Sequence, residues 1–313
     1  MTKLISRNEK SVIIIEIACA IVLFYCAALT SFYGCDYMYH MELAESISID
    51  TFKHFPEFFS LHCYPLWHIL AKIAMKVFFM PAQYAAGFIS GACFVVMYLT
   101  TCWHMKKSFT DVSAKVIAFL SAALYLVAPV YIPWYNPEVI LGQDTPNTWH
   151  SPTHTLIRAV ALFAFLLIIS VVERVKQSEY QKNIGLKTGI LIALLLFCSN
   201  LAKPNFVQVL YPALVFYMIY HLIISRGRAI KMGVQLALTC IPSLLLMIYQ
   251  YISAFYNGSS AGGVTISWFE YWHIYTPSIP ISMLLVLLFP LIMLGITIKR
   301  RQMTEGTILS WLM

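Results

Sequence analysis

Charge is what this sequence has least of. Only 11% of its 313 residues are Asp, Glu, Lys or Arg, against roughly 25% in an average soluble domain. So little polar surface cannot coat a water-soluble globule of this size, and a disordered chain needs more charge still. Soluble enzymes and disordered proteins are therefore excluded. Gly-rich phosphate loops, RNA-binding motifs and zinc-finger spacings are missing as well, so nucleic acid is not an expected partner despite the net charge of +7. The eight cysteines (19, 26, 35, 63, 93, 102, 198 and 240) include no CxxC pair. Most lie in apolar runs, where a thiol behaves as a small hydrophobe. A bridge between Cys35 and Cys63 is open geometrically but not implied. No internal repeat and no low-complexity tract is visible.

What the chain has in abundance is apolar residues, 60% of the total, with a mean hydropathy of +0.73. A membrane-crossing helix takes about 20 of them in succession. Runs near that length fall at 12–33, 84–103, 112–132, 155–172, 186–202, 206–225, 233–255 and 279–298, the fifth being the shortest. The first lacks a small-residue cleavage site and is too long for a signal core, so it is expected to stay as a span. A further apolar run opens at Thr307 and reads as a truncated ninth span. The expected class is an all-α polytopic transmembrane helix bundle, a single membrane domain over 1–313.

Segment 64–80 decides the topology. His68, Lys72 and Lys76 recur every four residues, which predicts one polar face on an amphipathic helix lying in the membrane interface. With that helix lying flat, one side of the membrane receives Lys3, Arg7, Lys10, Lys106, Lys107, Lys115, Arg174, Lys176, Lys182, Lys187, Arg226, Arg228, Lys231, Lys299, Arg300 and Arg301. That is 16 of the 21 basic residues. Were 64–80 a span, all but the first three would change sides. The positive-inside rule favours the first layout, with a cytoplasmic N-terminus and the cell membrane as location. The long connections 34–83, 133–154 and 256–278 then lie outside, with most carboxylates and all histidines except His104 and His221.

Chemistry is expected on that outer face. Asp36 directly follows the first span, where a carboxylate can take a proton from an acceptor hydroxyl at the level of a lipid head group. His40, four residues on, shares its helical face. The loop 133–154 offers Glu138, Asp144, Asn147, Trp149 and His150, a mixture of planar polar groups and one large aromatic face that suits sugar hydroxyls and rings. It equally suits a solvated loop with a belt tryptophan. Pro152 between His150 and His154 argues against a helical metal pair. No cofactor is called for, and a divalent metal is compatible with the outer acids. Arg158 stands a few residues inside the fourth span, either snorkelling outward or holding a lipid phosphate through its guanidinium fork. Lys203, in Asn200-Leu-Ala-Lys-Pro-Asn205, is the only cation in its outer turn, beside a backbone broken by Pro204, and is a second candidate for that phosphate. Glu16, in the first span, is expected to meet a basic loop residue or to lie at the interface. The placed spans contain no other Asp or Glu, which weighs against an ion-coupled transporter.

The first span with Asp36 after it, the long outer loop, Tyr64-Pro-Leu-Trp-His-Ile-Leu70 with its amphipathic continuation, the span from Gln83 and Ala123-Leu-Tyr-Leu-Val-Ala-Pro-Val-Tyr131 together resemble the N-terminal half of GT-C-type integral membrane glycosyltransferases. The similarity is to the protein O-mannosyltransferase and aminoarabinose-transferase group, and it covers roughly 12–135. It implies a GT-C-like bundle with interfacial helices between the first two spans and a polyprenyl-phosphate-linked sugar as donor. Transfer goes with inversion, and an acidic residue of the first outer loop, here Asp36, is engaged in catalysis or metal contact. Membrane lipid and the lipid-linked sugar are the expected partners. Two other functions handle such lipids: a cell-surface polysaccharide polymerase or ligase, and a transporter or flippase that makes no new bond. The sequence leaves the oligomeric state open.

Overall fold

A computed structural model describes residues 7–33, 35–48, 50–53, 58–59, 62–126, 151–255, 269–270, 273 and 276–313. These residues form eleven α-helices: α1 (Arg7–Tyr33), α2 (Cys35–Ser46), α3 (Leu66–Val77), α4 (Ala82–Ser108), α5 (Ala114–Leu126), α6 (Pro152–Gln177), α7 (Leu186–Ala202), α8 (Asn205–Ile224), α9 (Ile230–Phe255), α10 (Ile279–Lys299) and α11 (Glu305–Leu312). No strand occurs among the described residues. Six of the helices, α1, α4, α6, α8, α9 and α10, are long and apolar enough to cross a membrane. Helix formation is compulsory there, because a bilayer core offers backbone groups no other hydrogen-bond partner. The chain is an all-α, multi-pass membrane protein. Two further expected runs form the shorter apolar helices Ala114–Leu126 and Leu186–Ala202, and the continuation of the former lies outside the described residues.

The chain divides into two compact units. The first comprises Met1–Ile47, Trp67–Ala159 and Ser267–Val286. Its centre is the α1–α4 pair, which meets at Gly87 and Gly91. A Cβ on Gly91 would stand 2.6 Å from the Phe24 ring, and one on Gly87 would stand 3.0 Å from the Ala28 carbonyl oxygen. In lipid, where helices gain nothing by hiding apolar surface from each other, such small-residue contacts supply the packing. Glu16 of α1 forms an ion pair with Lys106 in the last turn of α4, the first of the two placements open to it from the sequence.

The interfacial segment is a helix of 12 residues, about 18 Å long and well short of the roughly 30 Å of hydrocarbon in a bilayer. Its faces differ from the sequence expectation. His68 shares a face with Lys72, as expected, but that face is turned to α2. His68 is buried together with Trp67, Ala71 and Ala74, while Lys76 is exposed beside Ile73, Val77 and Phe78. The reason is the neighbour: Lys72 Nζ donates to the Glu45 carbonyl at 2.6 Å, and His68 bonds to α2. The buried stripe is thus the one that packs on protein, and the apolar stripe faces outward.

The second unit comprises Ser48–Leu66, Val160–Ile266 and Leu287–Met313. Its core is built by α6, α7, α8 and α9 around Ile168, Val172, Ile192, Leu196, Leu210 and Tyr217. Pro212 and Pro242 sit inside α8 and α9. Where a ninth span was expected to open, α11 is an eight-residue helix capped by Thr304, whose side chain accepts from the Thr307 amide. It buries Glu305 and Leu309.

Candidate functional site

In the first unit, Asp36 occupies the first turn of α2, where the positive end of the helix dipole suits a carboxylate. It is half-buried. One residue on, Tyr37 is 1% exposed and ties three helices together through its hydroxyl. Ser90 Oγ of α4 lies at 2.8 Å and Thr30 Oγ1 of α1 donates at 3.2 Å, with Thr155 of α6 as a further partner. Burial pushes the Tyr37 phenol above its ordinary pKa, and the bonds to Ser90, Thr30 and Thr155 oppose that rise. Since a single residue separates α1 from α2, this anchor fixes the direction in which Asp36 leaves the membrane helix.

His40, one turn beyond Asp36, has its Nδ1 2.8 Å from Nε2 of His68 on α3. One ring must donate and the other accept, so the couple shares a single proton and cannot carry two charges on the facing nitrogens. Trp67 packs edge-on against both Tyr37 and His40. Arg158 lies one turn along α6 from Thr155, and so belongs to the helix whose first turn reaches Tyr37. The structure therefore brings Asp36, His40 and the Arg158-bearing turn into one unit. Glu138, Asp144, Asn147, Trp149 and His150 lie outside the described residues.

Lys203 belongs to the second unit. It is the C-cap of α7 and is half-exposed. Beside it is a buried polar set that lies mostly within apolar runs of the sequence. Asn200 Nδ2 donates to the Ser243 carbonyl at 2.9 Å. Gln250 Nε2 donates to the Cys63 carbonyl at 2.7 Å and to the Asn200 carbonyl at 3.4 Å. Both amide nitrogens are thus committed, which leaves Asn200 Oδ1 and Gln250 Oε1 as the free ends. Neither oxygen has a hydrogen-bond partner among the described residues, and nor do the Ser199 and Ser253 hydroxyls. All four residues are at least nine-tenths buried. A buried polar atom left unpaired costs about 1–3 kcal/mol, so four of them at one end of α7 and α9 make this a candidate polar binding site. His62, in the same unit, is buried, and burial lowers its pKa and keeps it neutral. Asn200 was visible in the sequence through its place beside Lys203. Gln250 and Ser253 carried a weaker signal, two polar residues three apart on one face of an otherwise apolar helix.

At the opposite end of this unit lies a second cluster that the sequence did not reveal. Glu305 Oε2 accepts from Tyr217 OH at 2.6 Å and from His221 Nε2 at 3.1 Å, and its other oxygen pairs with Lys176. With Nε2–H on the carboxylate, His221 Nδ1 accepts from Tyr180 OH at 2.9 Å. Burial alone would raise the Glu305 pKa, but the bonds from His221, Lys176 and Tyr217 outweigh it and hold the carboxyl at about 2. Both carboxylate oxygens and both imidazole nitrogens are engaged, so the cluster holds α11 in place. Among the described residues no group of three or more His, Cys, Asp or Glu could hold a metal ion.

No protein-family model, no curated protein and no solved structure matches this chain.

Proposed function

We propose that this chain is a glycosyltransferase of the cell membrane, with a cytoplasmic N-terminus, that moves a sugar from a polyprenyl-phosphate donor to an acceptor on the carboxylate-rich face. The observation that carries the reading is the set around Lys203: two buried amide oxygens and two buried hydroxyls wanting partners, next to a cation at a broken helix end. A sugar offers hydroxyls that both donate and accept, and a phosphate offers charge to the lysine. A purely apolar ligand would satisfy neither.

The roles are assigned within each unit. In the first, Asp36 takes the proton of the acceptor hydroxyl as its oxygen bonds to the anomeric carbon. The bond from that carbon to the phosphate oxygen breaks on the opposite side of the ring, which inverts the centre and releases polyprenyl phosphate. His40, paired with His68, stands one turn from Asp36 and supplies a proton-sharing neighbour. Arg158 is a forked partner for phosphate. The second unit, read by itself, offers Lys203 as a partner for phosphate charge and Asn200, Gln250, Ser199 and Ser253 as partners for hydroxyls, a set that suits the binding of a lipid-linked sugar.

Donor binding tests this. Lys203→Ala removes a charge-assisted bond worth roughly 1.5–3 kcal/mol, so donor affinity should fall about tenfold to a hundredfold. Arg158→Ala should behave alike. Asn200→Leu should weaken binding of the sugar-bearing donor while leaving binding of bare polyprenyl phosphate unchanged. Wild-type donor affinity in all three variants contradicts the reading.

A further inference from the structure

Helices α8 and α9 of the second unit leave a groove of about 690 Å³ between them, within the range of small-molecule sites. Val215, Met218 and Leu222 form one wall, and Gly233, Val234 and Ala237 form the other. The bare Cα of Gly233 opens the floor, since a Cβ there would come within 3.2 Å of the Met218 methyl. Val215 and Val234 are exposed, so the groove opens on the outer surface of the helix pair, where a membrane protein meets lipid tails.

One end of the groove is cationic. Leu222 and Ile230 line it there, and the turn between them carries Arg226 and Arg228, with Lys231 in the first turn of α9. The turn is tight because Arg226 and Gly227 take positive φ, 52° and 88°. Arg228 is spent on Glu179, its Nη1 2.9 Å from Oε2. Arg226 and Lys231 are exposed and make no ion pair among the described residues. Lys231, Val234, Leu238 and Ile241 follow one another at helical spacing on one face of α9, so the lysine sits at the head of the stripe that lines the groove.

An apolar channel ending in two unpaired cations, at a basic helix end, matches a lipid with an anionic head. We propose that the α8–α9 groove is a binding site for an anionic membrane phospholipid, one acyl chain lying against Val234 and Met218 and the phosphate held by Arg226 and Lys231. The site is independent of the sugar-transfer reading, because it stands at the opposite end of α9 from Gln250 and Ser253. It uses none of the residues assigned to donor or acceptor.

The test uses the full-length protein purified in detergent and exchanged against phosphatidylglycerol or phosphatidylcholine, with retained lipid counted by native mass spectrometry. Wild type should keep one phosphatidylglycerol per chain, at least tenfold tighter than phosphatidylcholine. Arg226→Gln with Lys231→Gln should bring the two lipids level. Val234→Trp, which fills the groove from an exposed position, should lower retention of phosphatidylglycerol with the melting temperature unchanged. Millimolar inorganic phosphate should not displace the lipid. Equal retention of both lipids by wild type, retention untouched by either variant, or displacement by phosphate alone would overturn the proposal.

Discussion

At the scale of single residues, two positions carry the most weight, and they were legible to different degrees. Asp36 was visible because a carboxylate directly after an apolar run of spanning length stands out. Its partners were not. The couple His40–His68 joins residues 28 apart, and the sequence periodicity had read the face that His68 shares with Lys72 as a polar face in the interface, not as one packed on α2. Helical spacing alone shows which residues share a face, not which face finds a protein neighbour. Asp36→Asn keeps size and shape but cannot accept a proton. Turnover should fall by roughly 10²–10⁴-fold, the usual contribution of a positioned base, while insertion and donor affinity stay as in wild type. Glu42→Gln and Glu45→Gln, both at exposed positions further along α2, should lose far less. Full turnover by Asp36→Asn would remove the base from the scheme. Lys203 was read from its isolation beside Pro204, whereas the unpaired oxygens of Asn200 and Gln250 depend on which carbonyl each amide nitrogen reaches. That information exists only in three dimensions.

At the scale of elements, the spans were the readable part. Six of the eight apolar runs hold helices long enough to cross and the other two hold shorter apolar helices, because a membrane leaves a long apolar segment little alternative. The placement of α11 was not readable. Its anchor, Glu305, bonds to Tyr217 and His221, 88 and 84 residues earlier, and to Lys176, 129 residues earlier. An acidic residue after a basic loop looks solvated until those helices are assembled. The anchor also has a pH signature. Glu305 titrates at about 2 in the folded protein, below its ordinary 4.5, so the ionised form stabilises the docked helix. That contribution is complete above about pH 4.5 and declines as pH falls toward 2, on the order of 2–3 kcal/mol in all. Thermal melts of the detergent-solubilised protein should therefore drop between pH 5 and 3. Glu305→Gln should melt lower than wild type at pH 7 and vary less over that acid interval. Equal acid sensitivity of the two proteins would show that another group governs it.

At the scale of the whole molecule, charge sets the orientation. Lys107, Lys176, Arg228 and Arg300 are expected to face the cytoplasm, since α3 is too short to cross and the basic loops then fall on one side. Single cysteines at these positions, in an otherwise cysteine-free protein, should resist an impermeant thiol reagent in intact cells and react after permeabilisation. Rapid labelling of all four in intact cells would invert the layout and move Asp36 to the other face. The central claim, that the protein makes a glycosidic bond, is tested most directly by turnover. Purified protein in detergent would be given polyprenyl phosphate carrying a radiolabelled sugar, together with an extract of cell-envelope acceptors. Label should pass from the lipid to an acceptor with inverted anomeric configuration, with polyprenyl phosphate released in equal amount. A donor that stays intact in detergent, yet crosses the bilayer when the same protein is placed in vesicles, would contradict the account and mark the chain as a transporter of such lipids.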